Sequence, residues 1–352
     1  MPKRMFNRRL TAGIYAFSLF LICFLIVAVP PNHFAFSPFI GWGYLAAVPF
    51  QIRARRSWWE IIPTLGMAGL FMLFSPWVLT SVLAAFGSAS IAMLMYRRQC
   101  GELEFASLAI PAALPSCILL ANLLQAPIIS FTPHPFDALL RRVDAQFGFN
   151  PSGFAMSFQS HWSYPIIGQL YMALPFVIAI VLSSSDSRKT VARALILCGL
   201  LVIPCYLLLP GVGPGHVDEP DLHVLPRNCI PSAHLAWALL LYWNSDQRGL
   251  RYLTGFFVLA TIVGTMVTGE HYLIDLVLAF PFAVAVQALS GERRRLAVAA
   301  AASVVTLIGI TAILYFEHVP MLPLISLVIA GLSFPLGDSI GKDVALSLAQ
   351  ES

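Results

Sequence analysis

Long apolar stretches, each closed off by charges, Pro or Gly, recur along nearly the whole chain. They fall at about 11–30, 37–52, 59–75, 77–96, 105–128, 162–184, 190–210, 231–244, 252–268, 272–290, 296–316 and 320–337. A hydrocarbon core about 30 Å thick takes about 20 helical residues to cross, and most of these stretches come near that length. The pattern predicts an all-α polytopic transmembrane bundle of about 10–12 spans. Segments 37–52 and 231–244 are shorter than a usual span, so some of the twelve are expected to be re-entrant.

Two connections break the apolar rhythm. In Ser130–His161, Phe136, Leu139, Leu140, Val143 and Phe147 recur at helical spacing opposite Asp137, Arg141, Arg142 and Asp144. That pattern predicts an amphipathic helix lying along the membrane surface. The other connection, Pro210–Pro231, is rich in Gly, Pro, Asp and His and leads into the next apolar segment. Its Gly211-Val-Gly-Pro-Gly215 stretch lacks the strand-to-helix context of a nucleotide loop.

Composition fits the same class. The chain has 352 residues, 58% hydrophobic and 11% charged, well below the roughly 25% charge of a water-soluble domain, which excludes a soluble enzyme. Lys3, Arg4, Arg8 and Arg9 precede the stretch Ala12–Val29, which is long and lacks a small-residue cleavage site, so it reads as a retained first span. With a cytoplasmic N-terminus and twelve crossings, three Lys and 15 Arg reach the cytoplasmic ends, 18 of the 21 basic residues. Only Arg141, Arg142 and Arg227 fall outside. Both termini are then cytoplasmic, in the inner membrane if the source is a Gram-negative bacterium, and the net charge of +4 records orientation, not a nucleic-acid partner. The six cysteines form neither a CxxC pair nor a metal-type spacing, so no disulfide or structural zinc is expected.

The same topology sends all eight histidines to the outer face or its border. His33, His134 and His318 have nothing around them that suggests a site. Pro231-Ser-Ala-His234 opens one span and Glu270-His-Tyr-Leu-Ile-Asp275 opens another, with 37 residues between the two histidines. That interval holds two short helices and the basic loop Asn244–Arg251, which returns His271 to the face His234 left. His271 and Asp275 stand i, i+4 on one helix face, where the carboxylate can accept the second ring N–H of the imidazole. An ionisable residue inside a span costs about 2.5–3.5 kcal/mol on insertion scales, so Asp275 needs a partner, and His271 has the right spacing. A histidine nucleophile or base tuned by a carboxylate, a second histidine as acid, the Ser232 hydroxyl and helix N-terminal amides suit an anionic, phosphate-like substrate.

These motifs resemble the second and third motifs of the type 2 phosphatidic acid phosphatase superfamily, which includes vanadium haloperoxidases. "Pro-Ser-x-His" with "His-Tyr-x-x-Asp" resembles more closely the branch containing fungal inositol phosphorylceramide synthases and related sphingolipid phosphotransferases. The likeness covers roughly 105–290, six spans, and implies a lipid-phosphatase-like core at 101–290 between accessory helices at 1–100 and C-terminal helices with a cytoplasmic tail at 291–352. It implies that His271 attacks phosphorus to form a phosphohistidine, Asp275 holds its imidazole, His234 protonates the leaving oxygen and Ser232 bonds a phosphate oxygen. The donor would be a membrane lipid phosphate or phosphodiester, and the acceptor water, a lipid or a polyol. The chain also departs from the pattern. The third motif of the superfamily begins Ser-Arg, where Gly264 and Thr265 stand here, and its first motif carries a Lys, whereas no lysine here lies on the outer face.

Arg227 is the nearest replacement cation, with Arg141 and Arg142 farther off, since phosphoryl charge is ordinarily offset by Arg, Lys or metal. Arg227 also suits anchoring to lipid phosphates. His216, Asp218, Asp221 and His223 suit head-group recognition, a divalent metal or a plain solvated loop; no metal or cofactor is expected. Tyr272 is a substrate contact or part of the interfacial aromatic belt. Two other classes stay open. A serine hydrolase would use Ser232 with His271 and Asp275, but lacks a Gly-x-Ser-x-Gly elbow and leaves His234 idle. A transporter would suit twelve spans, but shows neither inverted repeats nor midplane charges.

Overall fold

The structure, a computed structural model, describes residues 42–43, 45–54, 128–131, 135–159, 163–185, 188–217, 230–291, 295–315 and 322–351, with isolated positions between 62 and 98. The described elements are helices: α1 (Ala47–Ala54), α2 (Asp137–Ala145), α3 (Pro151–Met156), α4 (Ser163–Met172), α5 (Leu174–Ser184), α6 (Arg188–Leu208), α7 (Ala233–Trp243), α8 (Arg248–Thr268), α9 (Leu273–Ser290), α10 (Leu296–Tyr315) and α11 (Leu322–Glu351). No strand occurs among the described residues. Among the described residues, five helices are long and apolar enough to cross a membrane: α6, α8, α9, α10 and α11. The pair α4 and α5 makes a sixth if counted as one span. This is a polytopic helical bundle, as the apolar pattern predicts. Of the twelve segments expected from sequence, 11–30, 59–75, 77–96 and 105–128 lie wholly or largely outside the described residues.

The chain divides into two compact units, Met1–Leu123 with Met172–Ser184, and Leu124–Tyr171 with Ser185–Ser352. In the first, α1 packs on α5, the Trp42 and Phe176 rings lie 5.9 Å apart, and the buried Ser90 hydroxyl donates to Gln51 Oε1 at 2.7 Å. The second unit is built around α9, the most enclosed of the span-length helices, which packs against α6, α7, α10 and α11. Pro281 lies inside the enclosed α9 and Pro204 inside α6.

Helices α7 and α9 run parallel in a fixed register. At one end the Ser232 N–H donates to the Asp275 carbonyl at 3.2 Å. At the other the Asn244 and Gln287 side chains exchange amide hydrogen bonds of 2.8 and 3.1 Å. Both pairs are 43 residues apart, so each helix advances the same number of residues between the two pins. At 11 residues α7 rises only about 16 Å, which bears out the shortness of segment 231–244. Trp243 at its end fits against Gly337 and Gly341 of α11, where added Cβ atoms would collide with the Trp243 ring and backbone.

Charge is sorted along this unit. Arg193 donates to the Ser290 carbonyl at the C-terminal end of α9. Asp338 holds both Arg251 and Lys342, and Arg251 lies over the Tyr242 ring at 4.8 Å. The three described histidines, His216, His234 and His271, gather at the opposite end.

Candidate active site

Helix α8 stops where Gly269 adopts a left-handed φ of 76°, a conformation glycine takes without steric cost. The chain then doubles back, with the Glu270 and His271 N–H groups both donating to the Thr265 carbonyl at 3.0 and 3.4 Å. Tyr272 caps α9, and Asp275 accepts the Tyr272 N–H through Oδ2 at 2.8 Å. His271 therefore sits just ahead of the helix and not on its face as the i, i+4 spacing suggests. The pair forms nonetheless: His271 Nδ1 lies 3.4 Å from Asp275 Oδ2, with both side chains almost fully buried. That separation is longer than a well-made hydrogen bond, and Asp275 Oδ1 is buried without a hydrogen-bond partner. Catalytic contacts commonly tighten only when substrate arrives.

His234 enters the same place from α7. Ser232 caps that helix, its Oγ accepting the Leu235 N–H at 3.4 Å, and the Ser232 N–H bond to Asp275 ties the α7 cap to the first turn of α9. His234 is half-buried between Tyr171 and Trp237, with ring centroids 4.2 and 6.3 Å away. Tyr171 Oη lies 3.1 Å from His234 Nδ1. His271 is close enough for its charge to act on His234. The structure thus brings His271, Asp275, His234 and Ser232 together. With Nδ1 of His271 turned to a carboxylate, Nε2 is the ring nitrogen directed away from it, and a positive charge on the ring is one that Asp275 can offset.

The α2 segment overturns one sequence expectation. Arg141 and Arg142 are exposed as expected, but Asp137 and Asp144 are each 2% exposed and point inward with Leu140 and Val143. Positions 137, 140 and 144 share one helical face, so the acids belong to the docked side. Asp137 accepts the Val212 and Gly213 N–H groups, both at 3.0 Å, and the Tyr272 hydroxyl at 3.1 Å. Asp144 accepts the Leu273 and Ile274 N–H groups at 3.0 and 3.1 Å and the Ser152 hydroxyl at 3.0 Å, which satisfies the open amides of the first turn of α9. Burial pushes Asp144 up to about 6, against the pull of those hydrogen bonds and with help from the neighbouring Asp275 charge.

Tyr272 lies in the core, 1% exposed and bonded to Asp137, not in a border belt of aromatics. A hydroxyl held there is taken by the fold. His216 Nε2 lies 3.4 Å from Glu270 Oε1, beside the turn that carries His271. The loop bearing it crosses that turn closely: Gly215 N–H donates to the Gly269 carbonyl at 2.9 Å, and a Cβ on Gly213 would sit 2.5 Å from the Glu270 carbonyl oxygen. Arg227, Asp218, Asp221 and His223 lie outside the described residues. No cation stands at the Gly264-Thr265 position, where the Thr265 hydroxyl bonds back to the Thr261 carbonyl at 2.9 Å. Among the described residues no group of His, Cys, Asp and Glu could hold a metal.

The arrangement defines a membrane-embedded pair of imidazoles, one backed by a carboxylate. Residues 140–289, which include Asp144, Tyr171, His234, His271 and Asp275 but not Asp137, match the family described as the PAP2 superfamily. That match supports, at a coarse level, a phosphatase-type activity on a lipid phosphate. No curated protein and no solved structure matches the chain. Sequence reasoning missed Asp137, Asp144 and Tyr171. The spacing of the two acids with Leu140 carried a signal, whereas Tyr171 carried none.

Proposed function

We propose that the protein is a lipid phosphotransferase or lipid phosphatase that works through a phosphohistidine on the extracytoplasmic side of the membrane. The observation that carries the reading is His271 held against Asp275 with His234 within electrostatic reach, inside the segment similar to the PAP2 superfamily. His271 Nε2 attacks phosphorus, the bond to the leaving oxygen breaks, and His234 Nε2 supplies the proton that oxygen takes up. In the second half His234 accepts a proton from water or from a lipid or polyol alcohol, whose oxygen displaces His271. The departures from the phosphatase pattern, Gly264-Thr265 in place of Ser-Arg and the lack of an outer-face lysine, favour an alcohol as acceptor. Arg227 is the proposed phosphate contact, with His216, His223 and Asp218 around the head group, while the buried Ser232 and Tyr272 hydroxyls hold the α7 cap and Asp137. The extracytoplasmic orientation draws support from the collection of Arg193, Arg251 and Lys342 at the far end of the bundle.

The serine-hydrolase alternative fits less well, because Ser232 Oγ is fully buried and occupied as the cap of α7. The deciding experiment incubates the full chain in detergent with dioctanoyl phosphatidic acid and traps an acid-labile phosphoenzyme. The expected result is phosphate transfer inhibited by orthovanadate, with no phosphoenzyme in His271→Ala. Unchanged turnover in both His271→Ala and His234→Ala ends the reading.

A further inference from the structure

The two imidazoles have different partners, and the difference has a chemical use. His271 faces a carboxylate, which suits a ring that becomes positively charged when phosphorylated. His234 faces the hydroxyl of Tyr171, a residue 4% exposed at the end of α4, with the two rings 4.2 Å apart at 31°. Tyr171 reaches that position against Gly264 of α8, where a Cβ would stand 3.3 Å from the Tyr171 Cβ. The small residue in the third-motif stretch thus gives Tyr171 its seat.

We propose that Tyr171 is a positioning residue that fixes which nitrogen of His234 exchanges its proton. The inference rests on the phosphohistidine reading above. Tyr171 Oη accepts the Nδ1–H of His234 and keeps that proton in place throughout the cycle. As imidazolium, His234 gives its Nε2 proton to the leaving oxygen, which carries away the electron pair of the broken P–O bond. His234 is then neutral with the proton still on Nδ1, and its Nε2 lone pair takes the proton of the acceptor O–H in the second half. If the neutral ring kept its proton on Nε2, it would have no lone pair there to receive one. A neutral phenol holds the tautomer without the strong stabilisation of imidazolium that a carboxylate brings, so the acid stays ready to give its proton.

The test is Tyr171→Phe, which keeps the ring and removes the hydroxyl. With dioctanoyl phosphatidic acid, whose alkoxide must be protonated as it leaves, kcat should fall about tenfold, a change of about 1.4 kcal/mol, at unchanged KM. With 4-nitrophenyl phosphate, whose leaving group departs without a proton, the first step should change less than twofold. Equal losses in the phosphorylation step on both esters, or none on either, overturn the inference while leaving the phosphohistidine reading in place. A wild-type chain inactive on both esters ends that reading and the inference with it. Histidine-selective 15N NMR, with His234 assigned from the His234→Ala spectrum, reads the tautomer without turnover. Neutral His234 should carry its proton on Nδ1 in the wild type and shift toward Nε2 in Tyr171→Phe. A wild-type ring protonated on Nε2 overturns the proposal.

Discussion

Helices α7 and α9 meet at two buried polar ends, and the ends are finished differently. At the far end Asn244 and Gln287 each give and each accept, and Asn244 also donates to the Leu240 carbonyl at 2.7 Å. At the near end Asp275 Oδ1 has no hydrogen-bond partner and His271 Nδ1 stops 3.4 Å from Oδ2. Both ends lie between the same two helices and are equally shielded from water. A closed polar pair in that setting holds register, whereas an incompletely made one is a site of stored chemical capacity. Trp243 Nε1, Thr261 Oγ1 and Ser326 Oγ are also buried without a partner, so what sets the near end apart is that its open atoms belong to an ionisable pair.

The comparison breaks most readily at the near end. Asp275→Asn keeps the shape but removes the charge that steadies an imidazolium, and kcat should fall by about 10²- to 10⁴-fold, measured as initial phosphate transfer. An activity within threefold of wild type would make the two ends alike. At the far end the expected loss is in stability. Asn244→Leu strips the buried Gln287 amide of both its hydrogen bonds to Asn244, at about 1–3 kcal/mol, while kcat stays within about twofold. The double variant Asn244→Leu/Gln287→Leu should regain much of that loss in a denaturation series in detergent, since removing both partners leaves no orphan.

The smallest expected effect concerns Asp144, which sits behind the near end. Its raised folded value means that the native state binds the proton more tightly than the unfolded one. The associated stability is complete below about pH 4, the ordinary carboxylate range, and is lost as pH rises through about 6. Melting midpoints recorded between pH 4 and 7 should therefore fall with pH in the wild type and flatten in Asp144→Asn. An identical slope in both would remove Asp144 from the account.

Much of this organisation is legible in the sequence because lipid imposes strict rules. Apolar length marks the segments that became α6, α8, α9, α10 and α11, and a histidine four residues from an aspartate in an apolar run reads as a pair. What escapes is everything that depends on how surfaces meet. Alternation of charge and apolar residues in α2 reads as a helix lying on a membrane, yet Asp137 and Asp144 share the Leu140 face and close onto backbone amides of α9 and of the 212–213 loop. Those amides are invisible to side-chain periodicity. Tyr272 looks like a border aromatic by position, and its burial follows only once Asp137 is known to wait for its hydroxyl. Tyr171 lies 63 residues from His234 in an unremarkable apolar stretch, so nothing local could join them.

Helix α9 holds 18 residues and rises about 27 Å, close to the thickness of a hydrocarbon layer. Laid across a bilayer, a rod of that height brings His271, two residues before its first turn, level with the phosphodiester plane of one leaflet. If His271 is the nucleophile proposed above, a phospholipid would meet it by sideways diffusion, its acyl chains never leaving oil, and the choice of leaflet would follow from which way the rod stands.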